Sequence, residues 1–294
     1  MVEISPNLPM RGQMVDIGGR RLHMVRKGPI TSGPTVLFEA GAFGFSADWG
    51  VVQDQVAQLG LATVAYDRAG LGQSDPGPQP RDGLAVTRDL EALLAAARVQ
   101  CPFILVGHSM AGTFLPLFAH RNPGKVAGLV LVDATPPQAI DAAKVRLEIM
   151  AYALTTHLAG LGGQTGLYQS LAGTWLGDKI GLTPDASAEK RRAFASPRHN
   201  RWAAAEVDQW LKTAYDARML GALDPDWPVA VITAGPVAPR RDWKAIQAAP
   251  ARHARKGYVA DIEAADHHTL LGQIHAQAVV RGVDFVRDAA AILS

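Results

Sequence analysis

The chain has 294 residues, 48% of them hydrophobic and 19% charged, which excludes a disordered chain and leaves ample length for a buried core. Its 29 Lys and Arg against 27 Asp and Glu leave a net charge of +2, and no basic run exceeds the three residues Lys190-Arg191-Arg192, so nucleic-acid binding has no compositional support. The single cysteine, Cys101, excludes an internal disulfide framework and a cysteine-based zinc site.

The segment Met1–Gln13 holds two prolines and no apolar core, unlike a signal peptide. No apolar run reaches the ~18 residues a membrane helix needs, so a cytoplasmic protein without a membrane partner is expected. Val15–Ile17, Gly18-Gly19 and Arg20–Val25 read as a hairpin with a two-glycine turn. Thr35–Phe38 is a short strand, followed by the small-residue loop Ala40-Gly41-Ala42-Phe43-Gly44. Apolar spacing at Trp49, Val52, Val56 and Leu59 predicts a helix over Asp48–Leu59. A strand Leu61–Tyr66, a helix Leu84–Ala97 and a strand Phe103–Val106 follow. Cys101, just ahead of that strand, is expected to be a small buried apolar residue at its edge. Ala111–Asn122 reads as a helix with a mild kink at Pro116. Val126–Val132, Val229–Ala234 and Tyr258–Ile262 are strands, and His275–Ala291 is the last helix.

Uninterrupted apolar strands alternating with helices indicate an α/β fold, with a parallel sheet covered on both faces. The alternation stops between Pro136 and Asp226, where the composition is helical and no strand is convincing. The expected organisation is a core of residues 1–135 and 227–294 with a helical cap, 136–226, lying over the sheet. Trp175, Trp202 and Trp210 in the cap are expected either to line an apolar pocket or to form the cap's own core. Arg191-Arg192 is expected to be a solvated face.

The most informative stretch is Phe103–Gly112, a strand, then Gly107-His108-Ser109-Met110-Ala111, then a helix. A nucleophile at a strand-to-helix turn sits at a sharp bend. Small neighbours let the backbone pass, and the bend exposes the Ser109 hydroxyl above the sheet edge. It also aims the next helix N-terminus at charge developing there. The bland alternative is a serine that caps a helix.

With these motifs the chain resembles the α/β-hydrolases over about Val15 to Val286. The elbow carries the resemblance, although Ala111 stands where a glycine is usual. So does Tyr66-Asp67-Arg68-Ala69-Gly70-Leu71-Gly72-Gln73-Ser74, similar to the family's Asp-x-Arg-Gly-x-Gly-x-Ser loop. The third motif is Ala40–Gly44, where many members have His-Gly-x-x-Gly; Ala40 replaces the histidine, which puts the support of that loop in question. The implied fold is a mostly parallel eight-stranded sheet with a helical cap inserted after the sixth strand. In such relatives Asp67 and Arg68 are structural. The resemblance assigns the oxyanion donors to the backbone N–H groups of Met110 and Ala42.

In this family the chain order is serine, acid, histidine, with the histidine after the last strand. Both His267 and His268 qualify in Asp266-His267-His268-Thr269-Leu270-Leu271, and His267 fits the family pattern better. The usual acid position, past the seventh strand, reads Thr233-Ala234-Gly235-Pro236-Val237-Ala238-Pro239 and holds no carboxylate. A minority of members place the acid at the end of the sixth strand, where this chain has Asp133. Asp133 is therefore the expected acid, with Asp242 the alternative. The sequence has no phosphate-binding glycine loop and no metal-ligand cluster, so no cofactor or metal is expected. These features imply a serine esterase acting on a small-molecule ester. Lactone, amide, C–C bond and perhydrolase chemistry, or a non-catalytic receptor on the same fold, remain open.

Overall fold

The structure is a computed structural model that describes residues 11–30, 33–162, 167–238 and 240–291. The expectation about a signal peptide at residues 1–10 therefore lies outside the described residues. Eight strands form one sheet in the order β1-β2-β4-β3-β5-β6-β7-β8. They are β1 (Gln13–Asp16), β2 (Arg21–Lys27), β3 (Thr35–Glu39), β4 (Thr63–Tyr66), β5 (Phe103–His108), β6 (Val126–Val132), β7 (Val229–Ala234) and β8 (Gly257–Ile262). β2 runs antiparallel to β1 and β4, and every other neighbouring pair is parallel. The β1–β2 turn uses Gly18 and Gly19 at φ of 95° and 90°, a left-handed conformation that residues with a Cβ rarely adopt.

Strand residues alternate between faces, which divides the apolar runs into two cores. Val36, Phe38, Ile104, Val106, Val130, Val132 and Ile232 point to one face. There they meet Val52 and Val56 of α1 (Gly50–Gln58) and Val279, Val283 and Val286 of α10 (Ala276–Ala291). Leu37, Leu105, Leu129, Leu131 and Val231 point to the other face, against Leu90 and Leu93 of α2 (Gly83–Ala96) and Leu115 and Phe118 of α3 (Ala111–Arg121). Pro116 lies inside α3 without ending it.

The helical insertion runs from a 3-10 turn at Pro137–Asp141 through α4 (Ala143–Gly162), α5 (Leu167–Ala172), α6 (Pro184–Ala195), α7 (Pro197–Val207) and α8 (Trp210–Met219). Its inner face shares a core with the strand-to-helix turn below. Ile140, Ile149, Val207, Trp210 and Ala214 pack with Met110 and Phe114. Trp175 is instead 68% exposed. Trp202 lies directly over Gly70, where a Cβ would come within 2.3 Å of the indole.

Two local expectations are corrected. Cys101 is exposed, because it stands in the loop before β5 and burial begins only at Phe103. Arg191 is half-buried rather than freely solvated. Its guanidinium donates to the carbonyls of Ala172 (2.6 Å) and Thr174 (2.5 Å), satisfying backbone acceptors at the end of α5. A helix that the sequence reading did not resolve, α9 (Arg241–His253), follows β7. It buries Lys244 and Gln247 toward the sheet, positions where apolar residues would have signalled a helix.

Candidate active site

Ser109 sits between β5 and α3 with φ of 58°, the strained conformation of a tight strand-to-helix turn. Two close approaches demand glycine here. A Cβ on Gly41 would lie 2.8 Å from Ser109 Cβ, and one on Gly107 would lie 2.6 Å from Leu115 Cδ1. Ala111 takes the second small position, fully buried. The turn is fixed by its backbone: Ser109 N–H donates to Val132 O (3.1 Å), and Ser109 O accepts from Gly112 (3.1 Å) and Thr135 (2.9 Å).

His267 comes from the loop after β8. Its Nε2 lies 2.9 Å from Ser109 Oγ, and its Nδ1 lies 2.6 Å from Asp133 Oδ2. The carboxylate accepts at Nδ1–H, so Nε2 is left to accept from the serine hydroxyl. The loop is shaped by Asp266, whose Oδ1 accepts from the N–H groups of His268 (2.8 Å) and Thr269 (2.9 Å). Beneath it, the buried His108 donates from Nε2 to the His267 carbonyl at 2.8 Å. Burial and the neighbouring His267 hold the His108 imidazole well below its ordinary pKa, so it serves as a neutral donor. His268, the other histidine singled out in the sequence, is exposed. It lines a surface groove with Trp175, Lys179 and Ile274 rather than facing the serine.

Asp133 follows β6 directly, with φ of 40°. Its Oδ1 accepts from Gln247 Nε2 at 2.9 Å and from Ala234 N–H at 3.4 Å. Burial opposes its ionisation, but the hydrogen bond and charge of His267 and the amide of Gln247 outweigh that and hold it at about 2. Asp242 lies exposed in the first turn of α9. Sequence reasoning missed Gln247, because a glutamine inside an unrecognised helix carries no motif.

Ala42 lies in the loop after β3, and Met110 is the residue before α3. Neither N–H donates to a backbone acceptor among the described residues. Arg68 lies beneath the Ala42 loop, with Nη1 donating to Ala40 O at 2.7 Å and Nη2 to Gly41 O at 2.8 Å. Arg68 thus supports the loop that Ala40 opens. Among the described residues, no group of three or more His, Cys, Asp or Glu side chains is placed to hold a metal. None of the described helices is long and apolar enough to cross a membrane.

Residues 34–271 match the family model described as alpha/beta hydrolase fold. The chain belongs to the α/β-hydrolase superfamily. The uncharacterized protein YqjL of Bacillus subtilis is 38% identical over 109 residues, 37% of this chain and 42% of that protein. The matches to the first curated relatives each span less than half of the relative's own length. Among solved structures, a candidate epoxide hydrolase from Pseudomonas aeruginosa aligns with a TM-score of 0.72 at 21% identity, covering 95% of this chain and 96% of that one. A thermophilic esterase from Thermogutta terrifontis aligns with a TM-score of 0.67 at 18% identity, covering 95% and 100%. At these identities the structural likenesses carry the fold alone, and any reading of this chain's chemistry rests on its own residues.

Proposed function

We propose that this α/β-hydrolase is a serine hydrolase of small to medium apolar carboxylic esters or lactones, working through an acyl-enzyme. The observation that carries the reading is the line Ser109 Oγ, His267 Nε2 (2.9 Å), His267 Nδ1, Asp133 Oδ2 (2.6 Å). Ser109 Oγ attacks the ester carbonyl as His267 Nε2 takes its proton. Asp133, ionised at any working pH, orients the ring and stabilises the imidazolium. The carbonyl oxygen becomes an oxyanion and accepts from Ala42 and Met110 N–H, the second backed by the N-terminus of α3. Collapse breaks the ester C–O bond, and His267 returns the proton to the leaving alkoxide. Water, deprotonated by His267, then attacks the acyl carbon, releases the acid and regenerates Ser109.

The nature of the nucleophile separates this reading from epoxide and haloalkane hydrolysis, in which family members use a carboxylate at the elbow. The substrate class follows from the lid, residues 136–226. Its Ile140, Ile149, Val207 and Trp210 pack with Met110 and Phe114, the neighbours of Ser109, which is itself only 9% exposed. The test is a panel of p-nitrophenyl esters of increasing acyl length, with intact-mass detection after a fluorophosphonate. Turnover, plus one adduct lost in Ser109→Ala, is expected. Absence of both turnover and adduct in the wild type would remove the hydrolase reading in favour of a ligand receptor.

A further inference from the structure

The loop that carries Ala42 is held by polar and charged side chains, and the helical insertion supplies several of them. Arg68 is the centre of the arrangement. A guanidinium has five N–H donors, and in this structure Nε and Nη2 meet Glu206 Oε2 (2.9 Å each), Nη1 meets Glu39 Oε1 (2.7 Å) and Ala40 O (2.7 Å), and Nη2 meets Gly41 O (2.8 Å). Glu206 comes from α7 of the insertion, and Arg68 is the partner of its fully buried carboxylate. Farther along the loop, Phe43 has a φ of 58°. Its carbonyl accepts from two side chains of the insertion, Lys190 Nζ (3.2 Å) and His199 Nε2 (3.2 Å). His199 in turn accepts at Nδ1 from Gly72 N–H (3.0 Å), which fixes it as the neutral Nε2–H tautomer.

The consequence follows from peptide geometry. The Gly41 carbonyl and the Ala42 N–H belong to one planar unit and point in opposite directions. Whatever fixes Gly41 O therefore fixes the aim of Ala42 N–H. Gly41 O is held by Arg68 Nη2 and by Gly44 N–H (3.1 Å). We propose that Arg68 and the insertion residue Glu206 are positioning residues that aim the Ala42 N–H at the oxyanion, so that the oxyanion hole is complete only while the insertion is docked. A docked Glu206 neutralises and orients the guanidinium. Once the insertion lifts, Arg68 loses two of its hydrogen bonds, and the Phe43 carbonyl loses both side-chain donors that hold it. The inference rests on the serine-hydrolase reading and extends it to the regulation of the same site.

The test compares the wild type with Glu206→Gln, which keeps the shape of the side chain, and with Arg68→Lys, which cannot reach both carbonyls. For Arg68→Lys we expect kcat on a p-nitrophenyl ester to fall by roughly 10²-fold, the scale of one lost oxyanion donor. For Glu206→Gln we expect a fall of about tenfold on the same scale. In both variants KM should stay within about threefold, and the affinity for a boronic acid that mimics the tetrahedral state should fall in step with kcat. The pH midpoint of kcat should stay fixed, since Asp133 and His267 are untouched. If Arg68→Lys does not fold, Glu206→Gln decides alone. Unchanged kcat and boronate affinity would overturn the inference, as would a loss of kcat that travels with a shifted pH midpoint. Failure of the wild type to turn over esters or to take up a fluorophosphonate would remove the underlying hydrolase reading, and the inference with it.

Discussion

Two aspartate–histidine pairs stand out among the described residues, and comparing them isolates what would let one of them pass a proton. In the first, His23 Nδ1 donates to Asp67 Oδ2 at 2.9 Å, and both side chains are at most 1% exposed. In the second, His267 Nδ1 meets Asp133 Oδ2 at 2.6 Å, with the imidazole 40% exposed. The difference lies at the other ring nitrogen. His23 Nε2 faces the carbonyl of Arg11, so acceptors lie at both nitrogens and the surroundings favour the imidazolium, which can donate to both. Burial opposes that charge, but the hydrogen bond and charge of Asp67 overcome it and raise the pKa above 6.5. Asp67 also accepts from the N–H groups of Ser46 (3.0 Å) and Gln73 (2.8 Å), so the pair staples β2 to two loops. His267 Nε2 faces a hydroxyl instead, so that ring can take a proton and return it. The same two residue types make a rivet when acceptors lie on both sides, and a base when a hydroxyl lies on one.

Substituting the two aspartates should separate these roles most sharply. Asp133→Asn should lower kcat by roughly 10⁴-fold, because the amide favours the wrong tautomer of His267. Asp67→Asn should leave kcat per folded molecule within about threefold while costing on the order of 3–5 kcal/mol of stability, as expected when a buried pair loses one partner. Ester kinetics, with active sites counted by burst titration, and chemical denaturation read the two effects. Comparable kinetic losses in both variants would abolish the distinction.

One side of this contrast was legible in the sequence, and the reason the other was not is physical. The sheet strands declared themselves because β3 to β7 are buried on both faces and so read as continuous apolar runs. Ser109 was legible because a sharp turn demands small residues on either side of it. Asp133 was reached by its place at the end of β6, once the β7 loop proved to lack a carboxylate. His23 left no trace, since its partner is 44 residues away and neither pattern nor spacing joins them. The same holds for Glu206, 138 residues from Arg68, and for α9, whose inward face carries Lys244 and Gln247. Lys244 is satisfied there by Thr233 and Asp261, both at 2.8 Å, a polar solution that hydrophobic periodicity does not register. Polar contacts between distant segments are written in the fold rather than in the local sequence.

Stability against pH should carry the signature of both pairs, with opposite signs. The Asp133 carboxyl falls from 3.8 to about 2 on folding. Its contribution, about 2 kcal/mol at 1.36 kcal/mol per unit, is present above pH 4 and lost as pH falls through 2. His23 is raised, so its contribution is complete below 6.5 and lost as pH rises through its folded value. Denaturation midpoints followed against pH should show wild type and Asp133→Asn converging below pH 4. The advantage of wild type over His23→Gln should shrink above pH 6.5. Convergence at the wrong end in either case would reverse the charge assignment of that pair.

The smallest effects probe what surrounds the reactive pair. Gln247→Leu removes the 2.9 Å donor to Asp133 Oδ1 and leaves only the 3.4 Å contact from Ala234. A hydrogen bond to a charged group is worth about 1.5–3 kcal/mol, of which the part that orients Asp133 should appear as roughly a tenfold fall in kcat, with the carboxyl moving back toward 3.8. His268→Ala should change kcat by no more than about twofold and stability by no more than the ~0.5 kcal/mol typical of surface substitutions. Its ring lines the outer groove, and the turn that presents His267 uses only its backbone N–H, which donates to the Asp266 carboxylate whatever the side chain. The neighbouring His267→Ala supplies the contrast within one dipeptide. If His268→Ala were the more damaging of the two, the proton would have to travel through the exposed ring, and the 2.9 Å approach of His267 to Ser109 would be incidental.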